Sequence, residues 1–380
     1  MTAFFQFSDL TWPEVAALPR SLPLVLPLGD GYSLTELAHA LGDPETAALL
    51  PALPYGWQGS CLPVAEPLLA GMLDNLLQSM RADGFEKVIA LLPEGIDLGL
   101  HSDYLSLSQD IAPQTLNSFF LPTLDSARVI LIPIGHTEQH GYHLPLSTDT
   151  LIIEAIGIKT AEFLPPGKAV CLPVLPYGVS THRASFAGTF NAGGRAFEDF
   201  WLGVIDQLAA HGAQMIYLMS GHGGSCSYLT NVVKYAGENH PHIFCATSWL
   251  YLSGPEGVSA LEKYRRSRQG GMGHACELET AILLALRPDL VHMDRVIDET
   301  DFVTTPSYYM DWVEGGALVA NPPWADDTKT GAYGAGSLAT LENGTIWLQA
   351  AVSEKAAHVY EIIEQYARRQ ARRKERGIQL

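Results

Sequence analysis

Four side chains able to hold a metal ion or move a proton fall close together in the stretch Val129–Thr150, VILIPIGHTEQHGYHLPLSTDT: Glu138, His140, His143 and Asp149. A carboxylate and an imidazole two residues apart, with a second carboxylate nine further on, can converge where a strand hands its chain to a loop. Mixed oxygen and imidazole ligation suits zinc or manganese. A polar loop whose His and Asp side chains cap neighbouring backbone is the other reading open at this point. The run from Val129 to Ile134, broken by Pro133 and closed by Gly135, predicts a short buried strand that ends at this loop.

Four more blocks lie further along the chain: LPYGVSTHRASFAGTF (Leu175 to Phe190), SGHGGS (Ser220 to Ser225), GHACELETA (Gly273 to Ala281) and TGAYGAGSLATLENG (Thr330 to Gly344). Together with EQHG-x-HLPL-x-TD, and in this order, they resemble the creatininase family, amidohydrolases that carry two metal ions. The resemblance covers most of Leu121 to Gln365. It implies that Glu138 and His140 serve different metals, that Asp149 bridges the two, and that His222 completes the first metal's shell. Creatinine amidohydrolases place a glutamate two residues after this histidine, where this chain has Gly224. Relatives with GHGGN use the first glutamate of HAGE-x-ET instead, which maps onto Glu277. The resemblance therefore assigns Glu277 to the second metal, with Glu279 orienting it. His274 matches the family's general acid/base histidine, whose ordinary pKa near ~6.5 suits a proton shuttle at neutral pH.

The resemblance also implies a reaction. Two divalent cations, Zn2+ first with Mn2+ or Fe2+ as alternatives, would share a bridging hydroxide that attacks an amide carbonyl. The expected substrate is a small molecule, a cyclic amide or a formamide. Hydrolytic C–C cleavage of a cyclic ketone is the rival within enzymes, and a non-catalytic assembly or binding protein the rival outside them. Departures from the family pattern mark where recognition has changed. The usual S-x-x-H-x-x-FPGT appears as Ser180, Thr181, His182, Arg183 and then FAGT, with His182 one place early and Arg183 in the histidine's position. Ser220 and Ser225 replace two asparagines. Ser180, His182, Arg183 and Trp249 are thus candidate substrate contacts, with Tyr251 a second candidate wall. The basic stretch RRSRQGGMG (Arg265 to Gly273) is a candidate lid.

Apolar runs alternating with helical periodicity must position these blocks. Strands are expected at Ala169–Leu175, Met215–Met219 and Ile243–Trp249, and helices at Leu151–Phe163, Phe197–His211, Tyr228–Gly237, Leu278–Leu286 and Ser353–Arg373. That alternation indicates an α/β fold, a three-layer αβα arrangement on a mainly parallel sheet, with ligands at the strands' carboxyl ends. The first hundred residues repeat the pattern. LVLPLG at Leu24–Gly29 answers ILIPIG at Ile130–Gly135, and LPALPYG at Leu50–Gly56 answers LPVLPYG at Leu172–Gly178. The expected organisation is a smaller, degenerate, metal-free α/β copy over residues 1–110 and a catalytic unit over 111–380. Tyr32 and Leu34 stand where the second unit has Glu138 and His140, and Glu94 where it has His222. Gly95–Pro122 reads as a polar connector, and Trp12-Pro13 resembles the usual opening of a creatininase domain.

Composition excludes several partners. A net charge of −18 argues against nucleic acid and anionic membranes. Five scattered cysteines without C-x-x-C spacing read as reduced thiols of a cytoplasmic protein. No apolar run reaches membrane-spanning length. High apolar content, 47% against 17% charged, and the family's habit of forming hexamers together imply a homo-oligomer.

Overall fold

Two parallel sheets carry the chain in this computed structural model, which describes residues 2–110, 128–181, 185–312 and 316–378. The first contains β1 (Ala3–Gln6), β2 (Leu24–Pro27), β3 (Thr46–Leu49), β4 (Val88–Pro93) and β5 (Tyr104–Leu107), in the order β1-β3-β2-β4-β5. The second contains β6 (Val129–Ile134), β7 (Ala169–Cys171), β8 (Met215–Ser220) and β9 (Phe244–Thr247), in the order β7-β6-β8-β9. With β1 set aside, the two orders are the same.

The likeness extends to single hydrogen bonds. Gly29 N donates to Leu53 O at 2.8 Å, and Gly135 N to Leu175 O at 2.9 Å. Pro27 O accepts from Leu53 N, and Pro133 O from Leu175 N. A proline in a central strand cannot donate to the ladder, yet each of these still accepts through its carbonyl. In both units a 17-residue helix precedes the third repeated strand: α3 (Glu66–Ala82) before β4 and α5 (Gly194–Ala210) before β8.

Strand pleating explains the layers. Successive side chains of β6 point to opposite faces. Ile130, Ile132 and Ile134 join one core cluster, and Val129 and Leu131 the other. The first cluster also takes in Phe197, Phe200 and Trp201 of α5, Leu229 and Val232 of α6 (Gly223–Asn239), and Leu69, Leu73 and Leu76 of α3. One core therefore runs through both units. The second cluster is closed by α4 (Thr148–Phe163), α8 (Glu277–Leu286) and α9 (Leu341–Arg376). A Cβ on Gly344 would collide with the Ala281 carbonyl oxygen, so glycine is what lets α9 lie directly against α8.

Several elements differ from the sequence reading. The Gly95–Pro122 connector contains β5, paired in parallel with β4; its residues from 111 onward lie outside the described ones. Several helices begin earlier than their apolar periodicity suggested. α6 starts directly after His222, α4 at Thr148, and α9 at Leu341, where Thr340 Oγ1 accepts from Asn343 N. A short helix, α7 (Pro255–Tyr264), was not anticipated. Strand β10 (Met272–His274) pairs antiparallel with β11 (Tyr333–Gly334), joining two distant blocks beside His274. Trp12, on α1 (Trp12–Ala17), donates from its indole to Thr330 O at 2.6 Å and packs on Tyr142. The N-terminal segment thus reaches the loops of the second sheet.

Candidate metal centre and active site

The segments after β6 and β8, together with the start of α8, deliver the candidate ligating side chains. Glu138 and His140 follow β6, and Asp149 sits in the first turn of α4. His222 caps α6 directly after β8, and Glu279 lies in the first turn of α8. All five are at most 2% exposed, so their charges must find partners inside the protein.

Those partners are one another. Asp149 stands between two imidazoles, Oδ1 at 3.2 Å from His140 Nε2 and Oδ2 at 3.2 Å from His222 Nδ1. Glu138 Oε1 is 3.0 Å from His222 Nδ1, and Glu279 Oε1 is 3.9 Å from His140 Nε2. The far nitrogen of each ring is tied to a backbone carbonyl, which can only accept. His222 Nε2 faces Val179 O at 3.0 Å, His140 Nδ1 faces Glu138 O at 3.1 Å, and His274 Nε2 faces Gln139 O at 2.6 Å. Each ring's proton is therefore fixed on its outer side, and a lone pair points inward at carboxylates.

A lone pair facing a carboxylate is repulsive unless a cation lies between them. A proton can fill that role. Burial alone would lower both imidazoles, but Asp149 beside His140 and Glu138 beside His222 outweigh it. Both are raised, His222 to about 9. Burial would raise Asp149, yet His140 and His222 hold it below its ordinary value. His140 Nε2 and Asp149 Oδ2 meet no partner in hydrogen-bonding geometry despite these short distances. Atoms so placed suit a metal ion. The donor set, imidazole with carboxylate, fits two divalent cations sharing Asp149.

The structure corrects the assignment of Glu277. Its carboxylate turns away from His140 and Asp149 and accepts from Arg266 N at 3.0 Å and Ser267 N at 2.7 Å. Glu279 faces the cluster instead, while its Oε2 also accepts from Cys276 N at 3.4 Å. Two positions apart at the start of a helix means about 200° apart around it, so only one of the pair can face the metals. Glu277 has another task. It fixes the stretch expected to be a lid, and Asp311 fixes it again, accepting from Arg265 Nη1 at 2.7 Å, Arg265 Nη2 at 2.5 Å and Gly270 N at 2.6 Å. Arg265 to Gly273 is a clamped loop.

Other expected contacts divide. His182 and Arg183 lie outside the described residues. Ser180 is buried, with its hydroxyl oxygen unpartnered. Trp249 is 54% exposed and lines a cavity of about 300 Å3 that opens onto Asp149, His222, His274 and Glu279. Tyr251 is buried behind it, its carbonyl accepting from Trp312 Nε1 at 2.8 Å.

Two features escaped the sequence reading. His136 packs its ring 4.4 Å from that of His222, and its Nδ1 accepts from Gly178 N at 2.9 Å. That bond places the ring proton on Nε2, 3.9 Å from Glu138 Oε2, so His136 is suited to hold Glu138 rather than to bind metal. The second feature is the aromatic run Tyr308, Tyr309, Met310 and Trp312, which lines the cavity. Its only signal in the sequence is its aromatic density.

A family model described as "Creatininase: Creatinine amidohydrolase" matches residues 118–359. The chain belongs to the creatininase family. It is 30% identical over 196 residues to the creatinine amidohydrolase of Pseudomonas putida, covering 47% of this chain and 72% of that protein. It is 34% identical over 174 residues to the mycofactocin precursor peptide peptidase of Mycobacterium ulcerans (strain Agy99), covering 44% of this chain and 62% of that one. A solved creatininase in its manganese form superposes with a TM-score of 0.52 at 26% identity, covering 62% of this chain and 91% of that one. A zinc–zinc form of a creatininase mutant gives the same score and identity, covering 62% and 90%. Membership and donor set together make this a two-metal centre in a metal-dependent hydrolase. Residues 1–110 fall outside the family match. No helix among the described residues is long and apolar enough to cross a membrane.

Proposed function

We propose that this chain is an amidohydrolase that cleaves the C–N bond of a cyclic amide or a formamide. Glu138, Asp149 and His222 hold one divalent cation, and His140, Asp149 and Glu279 the other. When bound, the pair supplies a hydroxide nucleophile at neutral pH and polarises the scissile carbonyl. The observation that carries this reading is the ring arrangement. Three imidazoles give their outer protons to backbone carbonyls and aim their inner nitrogens at shared carboxylates.

The chain's own groups then divide the work. Asp149 would be shared by the two cations, and the Val179 and Glu138 carbonyls keep the inner nitrogens of His222 and His140 able to ligate. His274 lines the cavity with Nδ1 facing inward, 3.7 Å from Glu138 Oε1. That nitrogen is placed to hold a proton and deliver it to the leaving nitrogen, which would otherwise depart as an unstable anion. Trp324 packs edge-on against the His274 ring at 5.0 Å and limits its rotation.

Residues 1–110 act as a metal-free unit that supports the catalytic unit of 111–380, in a cytoplasmic homo-oligomer. Unpaired cysteines and the apolar character of the chain support this. Protein reconstituted with Zn2+ or Mn2+ and offered lactams, formamides and cyclic ketones tests the reaction. Release of an amine or an opened amino acid is expected, and turnover of the ketones alone would replace amide hydrolysis with C–C cleavage.

A further inference from the structure

The cavity above the metal-binding side chains has a wall that neither the metals nor the proton shuttle requires. Tyr308, Tyr309, Met310, Leu318 and Val319 line it together with Trp249. Trp249, Leu318 and Val319 are 54%, 58% and 89% exposed. Apolar surface left open beside a reactive centre is what a ligand would cover.

This wall is built in advance. Thr305 N donates to Tyr308 O at 2.9 Å, Leu318 N to Ser307 O at 2.7 Å, and Gly316 N to Tyr309 O at 3.1 Å. The buried Asp311 carboxylate ties the same segment to Arg265, and Glu277 holds the residues after Arg265. Asn321 Nδ2 donates to Thr181 Oγ1 at 2.9 Å. A pocket fixed in this way can discriminate without paying to order itself.

Its charge is one-sided. Among the described lining residues there is no Lys or Arg, and the carboxylates beyond the metal cluster are Asp311 and Asp327. Asp311 is satisfied by Arg265, and Asp327 accepts from Val303 N at 3.0 Å. A substrate carboxylate directed here would meet aromatic groups and Asp327 and, among the described lining residues, no Lys or Arg. The volume, about 300 Å3, lies at the lower end of the ~300–1,000 Å3 typical of sites for drug-sized ligands, more than a bare lactam ring requires.

Resting on the two-metal amidohydrolase reading, we infer that the substrate carries a bulky aromatic or apolar group, without a carboxylate, seated against Tyr308, Tyr309 and Val319 beside the scissile amide. Hydroxamates anchor on metal pairs whatever their tail, so they separate the wall from the chemistry. Zinc-reconstituted protein is titrated calorimetrically with acetohydroxamate, 3-phenylpropanohydroxamate and the monohydroxamate of succinate. The phenyl compound is expected to bind ~30-fold or more tightly than acetohydroxamate, as burial of a ring predicts, and the carboxylated one no better than acetohydroxamate. Tyr309→Ala should remove most of the phenyl advantage and leave acetohydroxamate unchanged. Val319→Lys, on an exposed position, should improve the carboxylated compound. Equal binding of the phenyl and acetyl compounds, or preference for the carboxylate in the unaltered protein, overturns the inference. No binding of acetohydroxamate to metal-loaded protein overturns the two-metal reading and the inference with it.

Discussion

Two units of this chain share a sheet order and a set of ladder hydrogen bonds, and among the described residues the clusters able to hold a metal lie in the second. After β2 the chain makes a short turn, in which the Tyr32 hydroxyl donates to Leu28 O at 2.8 Å, with Leu91 O at 3.3 Å sharing the same proton, and enters the seven-residue α2 (Leu34–Ala40). After β6, at the same point, a longer buried loop supplies Glu138 and His140 and leads into the 16-residue α4. After β4 comes Glu94 and a turn towards β5; after β8 comes His222 and the 17-residue α6. Outer coverage differs in step. Val25, Leu37 and Leu91 form a minor cluster over the first sheet, whereas α4, α8 and α9 seal the second. The framework sets where a site can be, and the loops at the strand ends decide whether one exists.

Breaking the second unit's centre should have the largest effect. Glu279→Gln should release one of two metals and take turnover to background, while Glu277→Gln should retain both; elemental analysis and activity distinguish them. Metal loss in Glu277→Gln with retention in Glu279→Gln would restore the assignment drawn from the sequence. His274→Ala should keep both metals and lower kcat by about 10²–10⁴-fold. Metal depletion there would make His274 a ligand.

A third effect is graded by pH. In metal-free protein His222 is raised from 6.5 to about 9, so its proton stabilises the fold fully below about pH 6.5. That stability disappears as pH climbs through about 9. Cations compete with that proton, so their affinity should rise by about tenfold per pH unit between those limits. Chelator competition at several pH values measures the slope, and a flat profile would mean that His222 does not ligate. The smallest effect belongs to the first unit. Tyr32→Phe removes the one proton shared by the Leu28 and Leu91 carbonyls and should cost about 1 kcal/mol of stability, read by denaturant unfolding, with metal content unchanged.

Much of this was legible in the sequence. The paired LPLG/IPIG and LPYG runs pointed to the repeated strand order, and the polar blocks, read with the family resemblance, named Glu138, His140, Asp149 and His222, whose side chains the structure brings together. Glu277 and Glu279 were not distinguishable, because the sequence does not show the angle at which a helix leaves its loop, and two residues turn a side chain to the opposite face. β5 was missed because YLSL is a four-residue edge strand with no fully buried residue, at the short end of what strands adopt. The aromatic wall was missed because a loop held by turn hydrogen bonds and Asp311 has no periodicity to read.

Metal stoichiometry tests the central claim most directly. The intact protein, reconstituted with Zn2+ or Mn2+ and freed of excess ion, should hold two ions per chain. Asp149→Ala should hold neither, because Asp149 spans both imidazole sites and its loss leaves two cations to repel one another. A single tightly held ion in the intact protein, or two retained in Asp149→Ala, would contradict the account.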